Sequence, residues 1–185
     1  YMSLSCIKKL KASPIIIICP ASVKWNWQDE CLKHFNLQAA VAVGRKPPRK
    51  GRLANINKIM IINYDILAKI RKKGGTYTKG WVDYLRSLNP EAIIFDEGHY
   101  LANPKSKRSK AAKSLTRLVP YIMILTGTPF KSRTVELWHL LNIIRPDKFS
   151  NFHRFAWKYS RPRKMFGHWN FDRSKNLPQL RKRLI

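Results

Sequence analysis

Apolar residues along this chain fall into two recurring patterns. Short unbroken runs rich in isoleucine alternate with longer stretches in which apolar positions return every three or four residues. Ile15-Ile16-Ile17-Ile18-Cys19, bounded by Pro14 and Pro20, reads as a strand buried on both faces. A helix is expected over 23–35, with Val23, Trp27, Cys31 and Phe35 at four-residue steps on its inner face and Ser22 placed to cap it. A second short strand follows at 39–43, then a polar loop with prolines at 44–51. Ile59-Met60-Ile61-Ile62 carries the next strand, followed by a helix over 64–70, a break at Gly74-Gly75 and a helix over 81–88. Strands are expected at 92–96 and 121–125. Between them lies a basic helix over 106–119 with Ala111, Ala112, Leu115, Leu118 and Val119 on its apolar side, and a strongly apolar helix follows over 134–144. The start, 1–11, reads as the tail of a helix with Leu4, Ile7 and Leu10 on one side, and a last helix begins near Asn176. Strands alternating with amphipathic helices predict an α/β fold, a mainly parallel sheet with flanking helices.

Composition narrows this picture. A chain of 185 residues makes one full core, and 44% apolar residues with six Trp, seven Tyr and eight Phe exclude wholesale disorder. The longest apolar run is a handful of residues, too short to span a membrane. Cys6, Cys19 and Cys31 have no C-x-x-C spacing and read as reduced core residues of an intracellular protein. The compartment would be the nucleus in a eukaryote, or the cytoplasm or nucleoid in a bacterium or phage. The charge is the stronger signal: 37 Lys and Arg face ten acidic residues, a formal net charge of +27. Such a surface calls for a polyanionic partner, with nucleic acid the leading candidate and a merely solvated basic surface the alternative. The basic residues are densest at 45–52, 69–73, 105–113 and 161–164.

Two of the ten acidic residues stand side by side at a strand end, in Ala92-Ile93-Ile94-Phe95-Asp96-Glu97-Gly98-His99. An Asp-Glu pair at the carboxyl end of a strand suits magnesium, held by Asp96, and a water polarised by Glu97 as general base; the competing reading is simple capping of the next helix. His99 would reach across to the hydroxyls of the second strand's end, Thr126-Gly127-Thr128-Pro129, or to a water at a γ-phosphate, or else cap a turn. Thr126 and Thr128 offer hydroxyls where ligands gather in open α/β sheets, or else belong to a plain Gly-Pro turn. Pro20-Ala21-Ser22-Val23-Lys24 and Asn63-Tyr64-Asp65 also follow strands, and each places a helix start at the same sheet edge, suited to a backbone phosphate or to ordinary capping. Trp25 and Trp27 read as packing residues. The eight glycines form no G-x-x-x-x-G-K-[ST] phosphate cradle, and the first residue is Tyr1, so a fragment of a longer protein is expected.

The ordered set of motifs resembles a known family. PIIIICPASVKWNWQDECLKHF, IINYDIL, IIFDEGHYLANPKSKRSKAA and ILTGTPFKSRTVELWHLLNIIRPDKF are similar to the first motor lobe of Swi/Snf-type ATPases of helicase superfamily two. The tail, FHRFAWKYS, FGHWNF and SKNLPQLRKRLI, resembles the annealing-helicase (HARP-like) branch. The resemblance implies a RecA-like lobe, incomplete at its N-terminus, over 1–147, and an aromatic and basic helical extension over 148–185 leading toward a second lobe in the same full-length protein. It implies ATP and Mg2+ as ligands, Asp96 and Glu97 as the acidic pair with His99 completing a DEAH-like box, and Thr126, Gly127 and Thr128 as the element coupling hydrolysis to lobe movement. Pro20, Ser22, Lys24 and Asn63 would lie along the backbone of double-stranded DNA. Gly98 departs from the Ala, Cys or Ser more usual between the Glu and His. The implied activity is ATP-dependent translocation on duplex DNA, with this stretch alone inactive for want of a cradle and an arginine finger. A strand-separating helicase, a restriction translocase subunit and a catalytically silent basic DNA-binding module are the alternatives.

Overall fold

The structure, a computed structural model, describes residues 2–48, 58–68, 80–128 and 133–184. The end of the proline-bearing loop, the last residues of the helix expected over 64–70, the basic run 69–73, Gly74-Gly75 and Pro129 lie outside the described residues.

Five strands form one sheet in the order β2-β3-β1-β4-β5, every neighbouring pair parallel. They are β1 (Ile15–Cys19), β2 (Ala39–Val41), β3 (Ile59–Asn63), β4 (Ala92–Phe95) and β5 (Tyr121–Ile124). In the central strands the residues are buried on both faces, which is why their sequences run as unbroken apolar stretches rather than alternating. The pleat still sorts them. Ile16, Ile18, Met60, Ile62, Ile93 and Phe95 face one cluster, and Ile15, Ile17, Cys19, Ile61, Ala92 and Ile94 face the other. Each fully buried isoleucine contributes roughly 1.5–3 kcal/mol.

The first face is covered by α3 (Tyr64–Leu67), α4 (Trp81–Arg86), α5 (Lys107–Leu115) and α6 (Thr134–Ile144). The second is covered by α1 (Met2–Lys9) and α2 (Lys24–Phe35). On α2, Cys31 is buried with Val23, Trp27 and Phe35 beside it, as the four-residue spacing predicts. Burial pushes the thiols of Cys19 and Cys31 up, to about 12 and about 11, with the carboxylates of Asp96 and Glu30 adding to the respective effects. These two behave as inert core thiols, whereas Cys6 is exposed on α1.

Several local expectations are corrected. Ser22 does not cap α2: the chain first makes a 3-10 turn, Ala21–Val23, and Ser22 sits inside it with no capping hydrogen bond. Trp25 is exposed rather than packed. The basic helix ends at Leu115, and a 3-10 turn, Thr116–Leu118, shifts the period so that Leu118 points to solvent, 92% exposed. At its start Ser106 does cap, its Oγ accepting the Ser109 amide at 3.2 Å.

Beyond Pro146 the chain forms α7 (Phe152–Tyr159), β6 (Ser160–Met165), β7 (His168–Ser174) and α8 (Leu177–Leu184). The expected helical extension therefore carries an antiparallel hairpin between its two helices. Pro162 cannot continue a helix, and Phe166-Gly167 supplies a two-residue turn with both φ positive, 47° and 78°. Phe149, Phe155, Tyr159 and Leu180 make a small core of their own against Leu137, Trp138 and Leu141 of α6.

Candidate functional site

The carboxyl ends of β1, β3, β4 and β5 share one edge of the sheet, because all the strands run parallel. Asp96 lies just beyond β4 and is held from three sides. Its amide donates to the Ile18 carbonyl at 2.8 Å, Oδ2 accepts from Trp27 Nε1 at 2.8 Å, and Oδ1 accepts from the Glu97 amide at 2.9 Å. From α3, the Tyr64 hydroxyl donates to the Asp96 carbonyl at 2.6 Å. Burial raises the Tyr64 phenol far above its ordinary range, and the Asp96 carboxylate adds to the effect, so it stays a donor. The Tyr64 ring stacks on Tyr100 at 5.3 Å, and the Arg108 guanidinium lies 5.3 Å over the Tyr100 ring.

Glu97 adopts a left-handed backbone, φ 51° and ψ 53°. For a non-glycine residue this conformation is costly and clusters at functional sites. It turns the carboxylate outward, where Oε2 lies 3.0 Å from His99 Nδ1. The Glu97 side chain accepts no capping hydrogen bond from the following 3-10 turn, Gly98–Leu101, so capping is not what the acidic pair does here. His99 meets Glu97 rather than the threonine hydroxyls; Thr126 Oγ1 instead accepts the Thr128 amide at 3.2 Å.

The two strand ends are nevertheless joined. The Gly98 amide donates to the Leu125 carbonyl at 2.8 Å, and the Leu125 amide donates to the Phe95 carbonyl at 2.8 Å. A side chain at 98 would run into Ile124 Cγ2. The glycine permits this close approach between the acidic turn and the Thr126-Gly127-Thr128 strand end. His99 and Thr128 then open onto one cleft of about 850 Å3, walled by Tyr100, Arg108, Phe152 and Trp169.

The residues expected along a phosphate track are placed differently. Pro20 and Ser22 follow β1, with Ser22 exposed. The Lys24 ammonium donates to the Ala42 carbonyl at 3.0 Å, leaving two of its three protons for other acceptors. Asn63 is only 5% exposed, and its Nδ2 lies 3.4 Å from Asp65 Oδ2, so its side chain is turned inward beside an acid.

Among the described residues no group of three or more His, Cys, Asp and Glu could hold a metal alone. A single, well-oriented carboxylate such as Asp96 is what magnesium takes when phosphate oxygens and waters fill the remaining positions. Both Asp96 oxygens keep free lone pairs after the bonds above, so the donor set fits that ion.

A family description, the SNF2-related domain, matches residues 2–185. The chain belongs to the SNF2-related family. Its curated relatives include the Xenopus laevis SWI/SNF-related matrix-associated actin-dependent regulator of chromatin subfamily A-like protein 1, 31% identical over 176 residues, covering 92% of this chain and 16% of that protein. The human TATA-binding protein-associated factor 172 is 27% identical over 154 residues, covering 80% of this chain and 8% of that protein. The chain thus spans a small part of the length of the curated relatives it matches. Among solved structures, a Sulfolobus solfataricus SWI2/SNF2 ATPase core in complex with dsDNA aligns with a TM-score of 0.62 at 27% identity, covering 84% of this chain and 30% of that chain. The sheet and its helices are accordingly those of a RecA-like lobe.

Trp27 and Tyr64 are the supporting residues of this SNF2-related site that sequence reasoning passed over. For Trp27, expected on the inner face of α2, the available signal was its polar tip, since a buried indole N–H seeks a partner.

Proposed function

We propose that this SNF2-related chain is the first motor lobe of an ATP-dependent translocase on double-stranded DNA, its hydrolysis coupled to movement along the duplex. Residues 1–147 form the nucleotide-facing lobe, and 148–185 lead toward a second RecA-like lobe of the same full-length, intracellular protein. The observation that carries the reading is the hydrogen bond from the Gly98 amide to the Leu125 carbonyl. It ties the acidic turn to the residue just before the threonine strand end, which supports a coupling role for Thr126, Gly127 and Thr128. A motor needs such a link; a passive DNA-binding module does not. The family match, the archaeal core captured with dsDNA and the +27 charge support the same reading.

Within this mechanism Asp96 would hold Mg2+, which together with ATP supplies the bond to be cleaved and the charge that neutralises its phosphates. Trp27 and the Glu97 amide orient the Asp96 carboxylate by occupying one lone pair on each oxygen. Glu97, turned outward by its left-handed backbone, would accept a proton from the attacking water, with His99 Nδ1 3.0 Å from its Oε2, an ion pair when the imidazole is protonated. The phosphate cradle is not among these 185 residues. DNA backbone contact is assigned to half-buried Pro20, to Ser22 in the 3-10 turn that follows it and to Lys24, with Asn63 contributing the start of α3 rather than its inward side chain.

The test is duplex-stimulated ATP turnover by the full-length protein, with and without Glu97→Gln. Turnover that disappears in the variant supports the motor. A full-length protein that binds DNA but neither binds nor hydrolyses ATP would be a silent module instead.

A further inference from the structure

The β6–β7 hairpin supplies none of the acidic-turn or threonine residues, although its Trp169 walls their cleft, and its sequence accepts three local costs. Phe166 occupies a turn position with φ 47°, where Asn, Asp or Gly is favoured. Its ring is 96% exposed, so an aromatic side chain at the tip gains nothing from burial. Arg161 stands directly opposite Arg173 across the strands, a like-charge pair that disfavours the hairpin.

These costs have one common remedy. The hairpin sequence 160–174 carries Arg161, Arg163, Lys164 and Arg173 against a single acidic residue, so a polyanion relieves the repulsion. The aromatic rings need a flat, unsatisfied π surface. Trp169 lies opposite Lys164, is 51% exposed, and is steadied edge-on by Trp157 at 5.0 Å. The base of the hairpin is anchored by Phe171 on Phe152 at 5.8 Å and by the Thr134 and Ser174 hydroxyls, so the tip projects from a fixed support.

We propose that this hairpin is a base-stacking element that engages unpaired bases of DNA next to a duplex, with Phe166 and Trp169 as platforms and the flanking basic residues on the phosphates. Alternating phosphate charge with free base faces is the chemistry of single-stranded nucleic acid. In an intact duplex the base faces are already covered by their neighbours, so the exposed tip would meet only phosphates and groove edges there. The proposal rests on the DNA-translocase reading and centres on the hairpin tip at Phe166, beyond the strand-end cleft that Trp169 borders.

The experiment compares binding of the full-length protein, by fluorescence anisotropy, to a blunt duplex and to the same duplex ending in an unpaired fork. Wild type, Phe166→Asn and Phe166→Trp are measured. Asparagine suits the left-handed turn and removes only the ring; tryptophan keeps a stacking surface. Wild type should prefer the fork, Phe166→Asn should lose roughly 5- to 100-fold on the fork alone, and Phe166→Trp should retain binding. Fork preference unchanged in Phe166→Asn, or an equal loss on both DNAs, would overturn the hairpin assignment while leaving duplex translocation standing. Failure of wild type to bind either DNA would overturn both.

Discussion

Gly98 shows how much one missing methyl can decide. Its amide reaches the Leu125 carbonyl only because nothing projects toward Ile124, whose β-branched Cγ2 fills the space a Cβ would take. The backbone there is not in a glycine-only conformation, so the requirement is one of close approach rather than of torsion. Gly98→Ala should therefore destabilise the protein by about 1–3 kcal/mol through overpacking. Adding Ile124→Leu, which moves the branch away from Cβ, should restore much of the loss. Urea denaturation of the single and double variants checks this, and an Ala variant as stable as wild type would show that Ile124 yields freely. Trp27 and Tyr64 act at the same scale, each spending its one polar hydrogen on Asp96.

Among the elements, those with strong, simple periodicity were legible in the sequence. The isoleucine runs gave β1, β3 and β4, and α6 occupies the span its apolar pattern predicts, Thr134–Ile144. Element ends were less legible, since a 3-10 turn costs one residue of phase. That is why Ser22 misses the cap of α2 and Leu118 leaves the apolar side of α5. The hairpin went unseen because its strands are basic and mostly exposed, without the apolar alternation that marks a half-buried strand. The site's acidic pair and threonines were legible as motifs, whereas the inward turn of Asn63 depends on Asp65 and on burial that no local pattern reports.

Helix α6 also carries a buried histidine whose energetics are open to measurement. His139 is 3% exposed, and neither ring nitrogen finds a hydrogen-bond partner among the described residues. Burial, with the Lys113 ammonium adding to it, pulls its pKa from the ordinary 6.5 down to about 4. Between these values the unfolded chain binds a proton that the folded one refuses, so stability rises with pH across that window and is lost on acidification. Thermal unfolding followed from pH 7 to pH 4.5 should show a falling midpoint in wild type and a flatter profile in His139→Leu. Parallel profiles would mean that other groups carry the acid sensitivity.

For the whole molecule, a net charge of +27 spread over the chain predicts DNA binding dominated by phosphates. Affinity for two unrelated duplexes should be similar and fall with salt at a log–log slope of about −0.9 per phosphate neutralised. Because the Lys24 ammonium keeps two protons beyond its bond to Ala42, Lys24→Ala should weaken both duplexes alike and reduce the slope by about one. Strong discrimination between the duplexes, or a flat salt response, would contradict backbone tracking.

In the proposed function the acidic turn and the threonine strand end serve ATP hydrolysis, and Glu97 is the residue on which that proposal depends. The most direct measurement is ATP turnover and ATP binding by the full-length protein carrying Glu97→Gln, with duplex DNA present and Asp96→Asn alongside. The amide keeps the shape of the carboxylate but cannot accept the water's proton, so turnover should fall by at least about a hundredfold with nucleotide binding nearly intact. Asp96→Asn should weaken magnesium-dependent binding as well. Near-normal turnover in Glu97→Gln would contradict the account.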